Sequence, residues 1–227
     1  MRKFAVLALV CAGLAALSAC GHKVPVATKA QNLVHESTLT VEAFKASDEK
    51  PLNMFADMLP EAQGVMIFPG AVKAGFVVGG EYGDGVLLAR AASGSWSQPA
   101  FYTMGAGSIG LQIGGQVSQL VLVIRTQKAL QAVVKHQGKF GADLGVSVGT
   151  VGAGMEAATT TNIGADIVAF ADSAGVYAGG TLEGAVLARR NDYNQAYYGT
   201  GAVPDAILFS ETFANPGSDE LRAALIP

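Results

Sequence analysis

The sequence predicts an α+β domain: a strongly curved or barrel-like antiparallel sheet with N-terminal helices and one or two further helices. Three observations predict it. Apolar residues recur at helical spacing up to about residue 60, then switch to strand-like runs and alternation after Gly64. Glycine supplies 29 of 227 residues, about twice the usual ~7% share, and many of these glycines interrupt strand patterns, where they let a sheet curve. Hydrophobic residues are 50% and charged residues 15%, ample for one sizeable core.

The elements follow in order. Residues 29–46 lack glycine and proline, and Ala30, Leu33, Val34, Val41 and Phe44 form an apolar stripe, so a helix is expected there. Its polar face, with Glu36, Glu42, Asp48 and Glu49, is too acidic to favour anionic headgroups, and the stripe is expected to pack on its own domain. A short helix is expected from Pro51 to Pro60. Val65 to Phe68 reads as a strand closed by Pro69-Gly70, and 75–78 and 86–89 read as a hairpin turning at Gly83-Asp84-Gly85. Ile109, Leu111 and Ile113 alternate with small or polar residues, and Leu120 to Ile124 is apolar throughout, as in a strand buried on both faces. Thr126 is placed to cap a helix running to Lys135, with Leu130, Val133 and Val134 inward. Leu144, Val146 and Val148 alternate, and 167–170 is another short strand. Residues 74–90 recur in pattern at 174–189, which suggests two related hairpins in one sheet.

The N-terminus reads as a secretory signal. Arg2 and Lys3 precede an uncharged apolar run from Phe4 to Leu17, shorter than a membrane span. Leu17-Ser18-Ala19-Cys20 resembles a bacterial lipobox, which implies a signal peptide over 1–19, lipidation of Cys20, a tether over 20–28 and one domain over 29–227. Gly21, where an inner-membrane retention signal would place aspartate, points to the periplasmic face of the outer membrane. Two acyl chains on one thioether, at about 0.8 kcal/mol per buried methylene, suffice for stable anchoring. Cys11 is lost with the signal, so no internal disulfide is expected.

The full chain has a net charge of −3, which disfavours nucleic acid as a partner. The distribution is uneven: no acidic residue lies between Asp84 and Asp143, whereas Arg90, Arg125, Lys128, Lys135 and Lys139 do. These residues, joined by Lys73, Arg189 and Arg190, are the candidate lipid-binding set.

Motifs of catalysis do not assemble. Gly145-Val146-Ser147-Val148-Gly149 matches a nucleophile elbow, but Ser147 falls in an alternating strand pattern and no histidine follows His136. The 105–110 glycine pattern runs into a strand instead of opening a helix, so it offers no phosphate site. Ser47 to Lys50 spells S-x-x-K without companion motifs. His22, His35 and His136 form no zinc-ligand spacing, and Asp166, Asp172 and Glu183 read as solvated charges. No catalytic residue, metal or cofactor is expected.

The segment Leu59-Pro60-Glu61-Ala62-Gln63-Gly64-Val65-Met66-Ile67-Phe68-Pro69, followed by residues 74–90, closely resembles the SYLF domain. The resemblance continues through Trp96-Ser97-Gln98-Pro99-Ala100-Phe101-Tyr102, 110–116, 182–185 and 191–199. It implies binding of membrane phospholipids, because eukaryotic members bind acidic phospholipids, notably phosphoinositides, through an N-terminal amphipathic helix and basic surface residues. Some members bind actin filaments, an implausible partner in a bacterial envelope; bacterial members are typically lipoproteins. The function expected is thus a membrane-tethered envelope lipoprotein that binds anionic phospholipids without catalysis. The alternative is an envelope structural or adaptor protein that uses a sheet edge or the Tyr193, Tyr197 and Tyr198 segment, its protein partner unknown.

Overall fold

Two sets of apolar residues on opposite faces of one sheet decide the architecture. The computed structural model describes residues 23–49, 52–75, 78–109, 114–135, 147–152, 164–172, 185–210 and 212–227. The expected signal peptide, Cys20 and Lys139 lie outside these residues, as do Leu111, Ile113, Leu144, Val146, Glu183 and much of the second copy of the repeated pattern.

The first helix, α1 (Val26–Lys45), starts three residues before the expected Lys29, directly after Pro25. Its buried residues include Ala30, Leu33, Val34, Val41 and Phe44, the stripe that the spacing picked out. Ser37 and Thr38 are buried with it, and their hydroxyls donate to the carbonyls of Leu33 and Val34 at 2.7 and 3.1 Å, which satisfies them inside the packed face. The second helix, α2 (Met54–Met58), runs into a 3-10 turn over Leu59–Glu61. Phe55 of α2 packs edge-on to Phe44 at 6.0 Å and to Phe170 at 5.8 Å.

The strands are β1 (Gly64–Gly75), β2 (Val78–Ala89), β3 (Ala100–Ile109), β4 (Gly114–Ile124), β5 (Val148–Gly152), β6 (Ile167–Asp172) and β7 (Val186–Arg189). They form one strongly curled half-barrel in the order β5-β6-β4-β1-β2-β3-β7. Neighbours are antiparallel as expected, except that β5 runs parallel to β6.

Two turn signals prove to be strand features. Pro69-Gly70 does not end β1; the register slips there against both β2 and β4, so the pair forms a bulge in the central strand. A proline, lacking a ladder donor, is tolerated inside a sheet at such a position, and the bulge adds bend. Gly83-Asp84-Gly85 is likewise no turn: these residues pair with Met104, Thr103 and Tyr102 in mid-strand. A methyl group at Gly85 would collide with the Ile67 carbonyl oxygen and the Phe68 ring, and one at Gly83 would lie 3.2 Å from the Ala71 Cα. The glycines are required by the close approach of the bulged strand.

Among the described residues the remaining α-helices are α3 (Gln127–Lys135), α4 (Asn191–Tyr198), α5 (Pro204–Phe209) and α6 (Asp219–Ala224). One sheet face presents Met66, Phe68, Leu87, Tyr102, Leu120 and Leu122 to Leu130, Val133 and Val134 of α3 and to Ile207 of α5. The other presents Val65, Ile67, Val86, Leu88, Phe101, Val121 and Phe170 to α1, α2, α4 and α6. Leu120 to Ile124 alternates between the two cores, which is why it reads as an unbroken apolar run. Among the described residues no helix is long and apolar enough to cross a membrane.

Candidate functional site

The rim of the sheet where β4 ends carries the most basic helix among the described residues. Thr126 starts α3 as expected: its hydroxyl accepts from the Ala129 N–H at 3.2 Å and its carbonyl accepts from the Leu130 N–H at 3.0 Å. Ala129, Leu130, Val133 and Val134 are buried, which turns Lys128, Gln131 and Lys135 outward. Seven residues are two helical turns, so the two lysines share one exposed face about 10 Å apart along the axis. No carboxylate lies on this helix.

The start of α3 is fixed by Asp166. Its carboxylate accepts from the Ser147 backbone N–H at 3.0 Å, the Ser147 hydroxyl at 2.9 Å and the Thr126 hydroxyl at 3.2 Å. Those Ser147 bonds, backbone first, together with Thr126 and the nearby Lys128 charge, hold the Asp166 carboxyl below the ordinary carboxylate range. The same carboxylate offsets the unfavourable placing of Lys128 at the positive end of the α3 dipole. Arg125 donates its backbone N–H to the Asp166 carbonyl at 2.8 Å and its guanidinium to the Ala165 carbonyl at 3.3 Å. Ser147 therefore precedes β5 as a partner of Asp166, not mid-strand as its alternating pattern suggested.

Three other candidate cations serve internal contacts. Arg90 donates to the carbonyls of Leu59, Ala62 and Gly94 at 2.7, 3.0 and 3.2 Å and lies 4.4 Å over the Trp96 ring. Arg189 donates to the Val134 carbonyl at the end of α3 and pairs with Asp205 at 3.5 Å. It sits beside the Tyr102 hydroxyl, which burial pushes well above its usual value. Arg190 forks onto Asp192 with two bonds of 2.9 Å, meets Asp84 at 2.5 Å and stacks 3.7 Å over Tyr193. The fork to Asp192 is the leading reason that the Arg190 pKa is raised, against an opposing effect of burial.

The seven candidate cations among the described residues therefore do not form one surface. Arg125, Lys128 and Lys135 belong to the α3 rim, and the Arg90 backbone lies at the same end of the sheet, since Gly64 pairs with both Ala89 and Ile124. Lys73 lies toward the opposite end, in register with Glu81 and Gln116. The expected aromatic contact segment is also committed inward: Tyr193, Tyr197 and Tyr198 pack around Phe101 with ring centroids 5.9, 5.2 and 6.5 Å away. Tyr197 and Tyr198 follow Tyr193 by four and five residues, about one helical turn, which turns all three toward Phe101, so they pack inward and are not a docking patch.

Sequence reading missed a cavity of about 520 Å³ beside this rim. It is lined by the connector after β2 (Arg90, Trp96, Gln98), by Gln127 of α3, by Leu208 and Phe209 of α5 and by Arg222 of α6, among others. The single tryptophan and the closely spaced Phe209 and Phe213 were the available signals, but nothing local in the sequence joins them.

A two-faced half-barrel with a basic helix on its rim defines the class of domain. The profile of a family described as Ysc84, "Las17-binding protein actin regulator", matches residues 105–226, and the chain belongs to this Ysc84/SYLF family. The "LAS seventeen-binding protein 3" of Saccharomyces cerevisiae is 31% identical over 190 residues, covering 79% of this chain and 41% of the relative. The "SH3 domain-containing YSC84-like protein 1" is 32% identical in Xenopus laevis over 170 residues (74% of this chain, 50% of the relative). In Homo sapiens its counterpart is 32% identical over 158 residues (69% and 46%). The chain thus spans about two-fifths to half the length of these curated relatives.

Proposed function

We propose that this chain is an envelope lipoprotein, tethered through Cys20 to the periplasmic face of the outer membrane, whose domain binds anionic phospholipid without catalysis. The outer face of α3 carries the contact. The observation behind it is that Lys128 and Lys135 project from one exposed face of a helix with no carboxylate, anchored by four buried residues. A basic side chain near an anionic bilayer contributes about 1 kcal/mol, so the two lysines supply about 2 kcal/mol, a roughly thirtyfold change in affinity. Acyl-free protein should co-sediment with vesicles containing phosphatidylglycerol, release them as salt shortens the Debye length to a few ångströms, and ignore pure phosphatidylcholine. Equal binding to both vesicles would contradict a headgroup contact.

The adaptor reading keeps one specific support. Val117, Val72 and Tyr82 are 66%, 46% and 54% exposed and lie side by side in register across β4, β1 and β2, and relatives carry the name of a protein that they bind. In-cell cross-linking from a photoreactive residue at Val117 should capture one discrete protein if that face is an adaptor surface, and lipid alone if it is not.

A further inference from the structure

The cavity beside the α3 rim has a composition that none of the functions above uses. Its wall divides chemically. Two guanidinium groups meet at Trp96, Arg90 lying 4.4 Å over its ring and Arg222 donating to its carbonyl, and Ile207, Leu208, Phe209 and Phe213 supply the apolar lining. No carboxylate is among the lining residues.

The polar side is held rigidly and keeps donors in reserve. Trp96 is 4% exposed, donates its indole N–H to the Leu225 carbonyl at 3.1 Å and accepts from Arg222 Nε at 3.0 Å through its own carbonyl. Arg222 gives Nη1 to Asp219 at 3.2 Å, outside this cavity, and its Nη2 has no partner among the described residues. Gln98 spends its side-chain oxygen on Ser218 at 2.6 Å and on the Asn215 N–H at 3.2 Å, which leaves its amide NH₂ as a donor. A guanidinium with an unused N–H edge and an adjacent amide favour an anionic oxygen cluster. The apolar side is open to solvent in part: Phe209 is 51% exposed. Large apolar side chains facing a cavity with two cations suit a ligand that is itself divided.

We infer that this cavity binds a single-chain anionic amphiphile, a carboxylate or phosphate head on one alkyl chain, with the head at Arg222 and Arg90 and the chain along Phe209 and Phe213. The size fits. At roughly 30 Å³ per water-sized group, about seventeen such groups fill a cavity of this volume, enough for a head and one medium chain. Gln127, the residue before Lys128, lines the same cavity, so the cavity adjoins the proposed bilayer contact without depending on it.

The chain has one tryptophan, and it lies in this wall and in that of a neighbouring cavity of about 470 Å³ that shares Arg90 and Arg222, so Phe209, which lines the first cavity and not the second, assigns the fluorescence change to its site. The full chain carrying Cys20→Ser, which cannot be acylated there, is titrated with dodecyl phosphate below its micellar concentration, and separately with dodecanoate, inorganic phosphate and dodecanol. A saturable change in Trp96 emission is expected with dodecyl phosphate or dodecanoate, the tighter of the two identifying a phosphate-headed or a fatty-acid ligand. Inorganic phosphate and dodecanol should each bind at least tenfold more weakly. Arg222→Met and Phe209→Glu should each weaken binding tenfold or more, while Lys128→Gln with Lys135→Gln leaves it unchanged. Phe209 is half exposed, so Phe209→Glu preserves the fold even should Arg222→Met loosen it. Equal binding of dodecanol, no saturable change, or wild-type affinity in Phe209→Glu would overturn the assignment. None of these outcomes bears on vesicle binding by α3.

Discussion

The basic residues of this domain divide into two populations. Arg90, Arg189 and Arg190 are surrounded by carbonyls, carboxylates and aromatic rings, whereas Lys128 and Lys135 stand on the exposed face of α3. Residue type tracks the division: a planar guanidinium meets several acceptors at once and stacks on a ring, and a flexible ammonium suits a wet surface. Among these candidates arginine joins elements distant in sequence and lysine supplies surface charge; outside them Lys45 behaves as the arginines do, donating to the Ala224 and Ile226 carbonyls at 3.0 and 2.6 Å.

The contrast can be broken by mutation. The largest effect is expected at Arg190, because Arg190→Ala leaves Asp84 and Asp192 without their shared partner and uncovers Tyr193. A loss of about 3 kcal/mol in urea unfolding is expected, toward the lower end for a broken buried pair because the group is partly exposed. A loss below about 0.5 kcal/mol would return Arg190 to the surface population. Gly85→Ala tests the scaffold that both populations share. Overpacking against the bulged β1 should cost about 1 to 3 kcal/mol, visible as a lower unfolding midpoint at unchanged slope.

A smaller effect is expected at Asp166, which links the α3 start to Ser147. Its folded carboxyl binds a proton less readily than the unfolded one, so its contribution is present above about pH 4 and is lost as pH falls through the lowered value. Asp166→Asn should therefore be less stable than the wild type at neutral pH, with the gap closing in acid. A gap that widens in acid would reverse the sign. The smallest stability change belongs to Lys128→Gln with Lys135→Gln, within about 0.5 kcal/mol as for ordinary surface substitutions.

What could be read beforehand follows the range of the forces involved. Leu120 to Ile124 and the Thr126 cap were legible because each depends on neighbours within a few residues. The 83–85 segment was misplaced because a glycine that relieves a turn and one that admits Phe68 look alike locally; its reason lies seventeen residues away in the chain. Pro69 misled in the same way, since the bulge is visible only once β2 and β4 flank it. The duties of the arginines were hidden because their partners, Leu59, Val134 and Asp84, are remote in sequence. The rim cavity was hidden for that reason too, being assembled from the connector after β2, α3, α5 and α6.

The most direct test of the lysine face measures binding and folding on one preparation. Lys128→Glu with Lys135→Glu is compared with the wild type for co-sedimentation with phosphatidylglycerol vesicles and for urea unfolding. A loss of vesicle binding of at least thirtyfold at unchanged stability is the predicted result; undiminished binding would contradict the assignment of α3 as the membrane contact.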